Sequence, residues 1–230
     1  MHRTAWVLFP LLASAVAGCA PAPSPTPKAT PPASPAESSP APSSSPSAAA
    51  TAPTDLRPTS GTLPPGTYTR SDFRPPVTFE LDEGWSVGSI TPGFFDVQQQ
   101  SGTPDVIAVQ FALVTNVVGA DAATVDATSA DAAIAAIKEN PGLVLTGESE
   151  SRIGGQTGTV VEVENRGPAH APILDVPAGR LGIDADRTLW IALFDAPEGV
   201  LAVMVGGSTA DWAHALTVAE PVLETIVIDA

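Results

Sequence analysis

Cys19 is the only cysteine of the chain, and His170 and His214 are the only histidines beyond residue 2. A thiolate can serve as nucleophile, metal ligand or acceptor of a covalent group. An imidazole can serve as base or ligand. Spacing excludes most of this. His170 stands between Pro168 and Pro172, and His214 follows Trp212, with no H-x-x-x-H or H-E-x-x-H around either. Both read as solvated or locally hydrogen-bonded. Neither G-x-S-x-G nor S-x-x-K occurs. A triad assembled from distant positions would have to take its base from His170 or His214. The glycine cluster Gly154-Gly155-Gln156-Thr157-Gly158 lacks the spacing and the lysine of a phosphate cradle and reads as a hairpin turn. Asp184-Ala185-Asp186 offers two carboxylates to calcium, and Asp175 or Asp195 would have to join them in space. The EF-hand pattern fails at Thr188. No metal ligand set, cofactor motif or catalytic residue is assigned.

The surroundings of Cys19 are more specific. His2 and Arg3 precede an apolar stretch from Ala5 to Ala17, broken only by Pro10 and Ser14. That stretch is shorter than the ~20 apolar residues needed to cross a bilayer. A short apolar core behind a positive start and before small residues is the pattern of a signal peptide. Val16-Ala17-Gly18-Cys19 resembles the lipobox of bacterial lipoproteins. The resemblance implies cleavage before Cys19, lipidation of its sulfur, and a protein held on the outer face of the cell membrane. The alternative is ordinary cleavage after Ala15-Val16-Ala17. An exported lone thiol would be open to oxidation, and lipidation removes it.

Residues 20–65 are rich in Pro, Ala, Ser and Thr. They carry few charges, and Leu56 and Leu63 are their only large apolar side chains. Such a composition cannot offset the entropy of folding, so a disordered tether is expected. As a flexible coil, 46 residues would reach ~35–40 Å. The content also permits O-glycosylation.

Residues 66–230 are expected to form one globular domain. They hold 23 acidic and seven basic residues, a net charge of −16. That balance opposes binding to nucleic acid or to anionic lipid. Period-two alternation marks strands at 77–81, 85–90, 94–99, 106–114, 143–153, 156–165, 187–194, 200–205 and 226–228. Gly154-Gly155 and Asp195–Gly199 would close two hairpins. Thr128-Ser129-Ala130-Asp131 and Ser208-Thr209-Ala210-Asp211 have the capping-box spacing. The first opens a helix with Ala130, Ile134 and Ile137 on one face, ended by Asn140-Pro141-Gly142. The second opens a helix with Trp212, Leu216 and Ala219 on one face and Ala215 beside them, kinked or ended by Pro221. This order predicts an α+β domain whose mostly antiparallel sheet is covered by two helices. The alternative is a β-sandwich with peripheral helices. Gly167–Gly182 reads as a long loop and as the first place to seek a binding surface, with Phe94, Phe95 and Trp190 as aromatic contributors or as core.

Three segments resemble actinobacterial-type exported lipoproteins with a PsbP-like α/β/α sandwich. They are Val77-Thr78-Phe79-Glu80-Leu81-Asp82-Glu83-Gly84-Trp85, the strand Thr159–Val163 after Gly154-Gly155, and Glu220–Ile228, a helix end running into a strand. The resemblance implies a binding or accessory role without shared catalysis, and no site residue is carried over with it. Three functions follow as expectations. The first is a membrane-anchored, monomeric binding domain for an envelope protein, glycan or amphiphile. The second is a hydrolase using His170 or His214. The third is a lipid carrier with a cavity of ~300–1,000 Å³ between sheet and helices.

Overall fold

The computed structural model describes residues 52–229. The expected signal peptide, Val16-Ala17-Gly18-Cys19 and the expected tether up to residue 51 lie outside the described residues. The elements, in chain order, are β1 (Thr54–Asp55), β2 (Gly66–Arg70), β3 (Val77–Leu81), β4 (Ser86–Thr91), β5 (Phe94–Gln99), β6 (Ile107–Val114), β7 (Asn116–Val118), β8 (Thr124–Asp126), α1 (Ala130–Glu139), β9 (Leu143–Ile153), β10 (Gln156–Asn165), β11 (Ala171–Val176), β12 (Gly179–Ile183), β13 (Arg187–Ala196), β14 (Gly199–Ser208), α2 (Trp212–Thr225) and β15 (Val227–Ile228).

The domain is α+β and mostly antiparallel, built in three layers. The middle layer is a seven-stranded sheet of order β4-β5-β6-β14-β13-β10-β9. One face is covered by α2 and the small sheet β1-β2-β3-β15. The other is covered by α1 and the small sheet β12-β11-β7-β8. Side-chain alternation divides each central strand between two cores. On β14, Leu201, Val203 and Val205 face the α2 side, while Val200, Ala202 and Met204 face the α1 side. Coverage on both faces explains why β13 and β14 read as near-continuous apolar runs. The two helices therefore lie on opposite faces of the sheet, and each shares its layer with strands.

Ser129 caps α1 by accepting a bond from the Ala132 amide at 3.2 Å, and Ala130, Ala133, Ile134 and Ile137 are its buried residues. The cap is thus Ser129 rather than Thr128. In α2 the buried residues are Ala215, Ala219 and Val222, with Trp212 and Leu216 only half-buried. The Ser208 side chain makes no cap bond, and a short 3₁₀ turn, Thr209–Asp211, precedes the helix. Pro221 does not end α2, which runs on to Thr225. Proline removes its own N–H and so frees the carbonyl of Thr217. Both residues lie on the exposed side of the helix, where water can take that bond.

The expected boundary at residue 66 is too late. β1 pairs in parallel with β2, Leu56 is 1 % exposed, and Thr62 bridges to Ser86. Leu56 and Leu63, the two large apolar residues in a stretch poor in them, anchor this segment to the core. Gly167–Gly182 is not an open loop either. It holds the hairpin β11–β12, whose Ile173, Leu174 and Val176 are buried against α1 and the central sheet. The Gly154-Gly155 turn closes β9 onto β10 as expected, with φ of 57° and 82°, values that suit glycine at both positions.

Candidate functional site

A cleft of about 490 Å³ opens at one end of the domain, where β2, β4 and β5 meet the β13–β14 turn. The Arg70-to-Arg74 stretch forms one wall. Thr91-Pro92-Gly93, Phe94 and Leu113 form the floor and the far wall, and Glu198 stands at the rim. Gly93 turns the chain at φ 70°, and its carbonyl accepts the Leu113 amide at 2.8 Å, which holds the far wall to β6. Phe73 is buried edge-on against Phe95, with centroids 5.1 Å apart and planes at 83°. The apolar floor is thereby continuous with the aromatic core.

The polar wall is preset by hydrogen bonds. The Arg70 guanidinium, half-buried on β2, donates to the Leu56 carbonyl at 2.7 Å and to Asp72 at 2.7 Å. Arg74 donates to the carbonyls of Ser71 at 2.6 Å and Phe73 at 3.1 Å, and its side chain stays exposed. Arg57 stands nearby in an adjoining hollow with Arg70. This corner gathers three arginines beside Asp55, Asp72 and Glu198; Arg57 pairs with Asp55 at 3.1 Å and Arg70 with Asp72, which leaves Arg74 without an ion pair among the described residues. The cleft offers charged donors beside an aromatic floor, a pairing suited to a ligand with one apolar and one polar end.

Of the residues singled out by sequence, Phe94 lines this cleft while Phe95 belongs to the core, 1 % exposed. Trp190 is half-buried over the α2-side core. His170 Nδ1 lies 2.8 Å from Asp184, both on the open surface. His214 is exposed on α2. No hydroxyl is hydrogen-bonded to either histidine among the described residues. The acidic residues disperse. Asp175 pairs with Arg180 at 2.6 Å, Asp195 accepts the Ala130 amide at 2.7 Å, and Asp184 faces His170. No group of three or more metal-ligating side chains occurs among the described residues. Arg70 and Arg74 escaped the sequence reading. Their signal was a cluster of basic residues, Arg57, Arg70 and Arg74, in a chain otherwise short of them.

A second buried polar group lies on β5. Asp96 is 2 % exposed, accepts the Ser89 amide at 2.6 Å and a bond from the Gln98 side-chain amide at 2.5 Å, and has no cationic partner among the described residues. β4 bulges opposite it, between Val87 and Ile90, and a Cβ on Gly88 would collide with the carboxylate. Burial pushes the Asp96 carboxyl above its ordinary range; the Gln98 and Ser89 bonds oppose the shift without cancelling it. The folded state therefore holds this proton more tightly than the unfolded chain does. The cost of the ionised group is fully present above the folded pKa. It shrinks as pH falls and vanishes below the unfolded value of about 3.9. Asp96→Asn is expected to raise stability at pH 7, and the gain should narrow as the pH approaches 4. Urea unfolding of both proteins across that range measures it, and a gain independent of pH would show that Asp96 carries no such cost.

The fold and cleft define a three-layer α+β domain with a surface site. No family model matches the chain, and no curated protein matches it in sequence. Among solved structures it is similar to the cyanobacterial PsbP protein CyanoP from Synechocystis, with 13% identity and a TM-score of 0.42, covering 76% of this chain and 99% of that one. It is also similar to LpqN, described as involved in cell envelope biogenesis of Mycobacterium tuberculosis, with 12% identity and a TM-score of 0.40, covering 74% of this chain and 90% of that one. A protein from Bacteroides thetaiotaomicron follows, with 11% identity and a TM-score of 0.34, covering 67% of this chain and 45% of that one. At these scores the likeness assigns neither family nor activity.

Proposed function

We propose that the chain is an exported lipoprotein, cut before Cys19 and anchored by lipid on that sulfur. In this reading the domain binds an amphiphile of the cell envelope in the Arg70–Arg74 cleft. The observation that carries the binding role is the cleft itself, a buried Phe73 and Phe94 floor beside the exposed Arg74 guanidinium, which has no ion pair among the described residues. The apolar end of the ligand rests on Phe94 and Leu113, and its polar or anionic end meets Arg74. Binding is favoured over hydrolysis by the placement of the His170–Asp184 pair, which lies on open surface. It is favoured over carriage inside the domain by the position of the cleft, which lies at the strand ends and not between sheet and helices.

The test is native mass spectrometry of the full chain, extracted from membranes in mild detergent. A bound amphiphile, distinct from the lipid covalently held at Cys19, is expected on the wild type. Arg74→Glu, an exposed substitution, should lose it. A wild type that carries no such adduct, or an adduct that persists in Arg74→Glu, defeats the reading.

A further inference from the structure

The two ends of the central sheet differ. At one end β4 has six residues, a register break, and a bridge from Ser86 to Thr62. At the other end β9 has eleven residues and no described strand on its outer side; its pairing with β10 shifts register once, opposite Glu162 and Val163, and is regular over residues 147–153. Long exposed edges invite pairing with another chain, and proteins ordinarily shorten, bulge or cover them; β4 is short, bulged and bridged, whereas the bulge of β9 leaves residues 147–153 regular.

The hairpin geometry identifies the groups on offer. A two-residue turn makes its flanking residues, Ile153 and Gln156, a hydrogen-bonded pair, and bonded pairs then recur at every second residue. Ser151 and Ser149 therefore bond inward to Gly158 and Val160. The N–H and C=O groups of Arg152, Glu150 and Glu148 point outward, and none makes a backbone bond beyond the hairpin among the described residues. The side chains of these three residues share one face. Glu148 is held by Lys138 at 2.6 Å, whereas Glu150 has no ion pair among the described residues. Glu162 and Glu164 stand half-exposed on the adjoining β10. Val144 and Leu145, 36 % and 42 % exposed, are two of the four exposed large hydrophobic residues described, and both lie on this strand.

We propose that β9 receives an extended segment of a partner protein, bearing lysine or arginine at alternate positions, as an eighth strand of the central sheet. Main-chain bonds to residues 148, 150 and 152 would supply the affinity, as in strand addition generally. Specificity would come from basic side chains opposite Glu148 and Glu150 and an apolar one beside Leu145. The net charge of the domain opposes a second copy as the occupant, while Arg152, on the same face as Glu148 and Glu150, calls for an acidic side chain opposite it. The site is separate from the Arg70–Arg74 cleft and stands or falls independently of it.

The probe is the blocked octapeptide Glu-Thr-Lys-Thr-Lys-Thr-Val-Thr, added to the full chain. Saturable binding is expected, with amide exchange slowed at Glu148, Glu150 and Arg152. Replacing both lysines by glutamate, or methylating alternate backbone nitrogens, should abolish it. Glu150→Lys, an exposed change that leaves the hairpin bonds in place, should weaken binding roughly tenfold, since each cross-strand charge pair contributes up to about 1 kcal/mol in either direction. The proposal is overturned by absence of saturable binding, by equal binding of the glutamate or N-methylated peptide, or by protection that falls elsewhere. It is overturned equally by concentration-dependent self-association that buries the same three amides, which would make a second copy the occupant.

Discussion

Cys19→Ser is expected to move the protein from the membrane pellet to the soluble fraction, lowering its membrane-to-soluble ratio by at least about 100-fold. The size of the effect follows from chain length. Each buried CH₂ contributes ~0.8 kcal/mol, and one acyl chain alone gives only reversible binding, with a constant of ~10⁴ M⁻¹. A diacylglycerol thioether, as the lipobox resemblance implies, carries two chains and holds durably. Removing the sulfur removes both chains at once. The remaining domain, acidic overall, has no electrostatic attraction to an anionic bilayer that would compensate. No described helix is long and apolar enough to cross a membrane. Fractionation with mass spectrometry of the N-terminal peptide checks the result. Ordinary cleavage after Ala17 would leave Cys19 unlipidated, and the serine variant would then fractionate like the wild type.

The strands of the central sheet were legible because they alternate with period two or, as in β13 and β14, run continuously apolar, and end in turn residues. β9, β10 and the Gly154-Gly155 turn follow the sequence reading residue for residue. α1 was legible from Ser129 and the spacing of Ile134 and Ile137. The small sheets were legible only in part. β3 and β15 match the strands expected at 77–81 and 226–228, whereas β1, β7 and β8 have two or three residues each, too few to show a period, and they exist because the central sheet offers them a surface. β11 and β12 were hidden by Pro172 and by glycines at 179 and 182, which mark loops on local grounds alone. Tertiary burial of Ile173 and Leu174 overrides that local signal. In α2 the sequence placed Trp212 and Leu216 at the centre of the buried face. Close packing of Ala215 against Gly207 on β14 selects a small residue there, and Trp212 packs at the margin of the same contact.

The site was less legible than the fold, for a physical reason. A cleft forms where loops from distant segments converge, here the turns near residues 72, 92 and 198. No periodicity links these segments. Phe94 was named as an aromatic contributor, but nothing in its neighbourhood of sequence announces Arg74 as its companion. What sequence does preserve is charge contrast. In a chain with 25 acidic and ten basic residues, three arginines within eighteen positions are an anomaly. Anomalies of this kind locate candidate binding surfaces even where no motif does.

Phe111→Ala should produce the largest loss of stability, about 3–5 kcal/mol. Phe111 lies on β6, fully buried, in the row formed with Phe95 on β5 and Val203 on β14. Its ring stacks on Phe95 at 4.5 Å and 12°, and on Phe79 of the small sheet at 5.4 Å and 21°. The ring thus joins the middle layer to the layer above it. Truncation removes its transfer free energy and leaves a void that its neighbours cannot fill. Phe79 and Phe95 belong to separate sheets whose hydrogen-bonded registers fix their backbones, so collapse would require one layer to slide on the other. Single domains are stable by only about 5–15 kcal/mol, so the change consumes a large share of the total. For a domain of this size it corresponds to a fall of roughly 10 °C in Tm. Phe111→Leu keeps most of the volume and should lose less than half as much. Urea and thermal unfolding of the full chain measure both. A loss below about 1 kcal/mol for the alanine variant would mean that the stacked phenylalanines do not bind the two layers together.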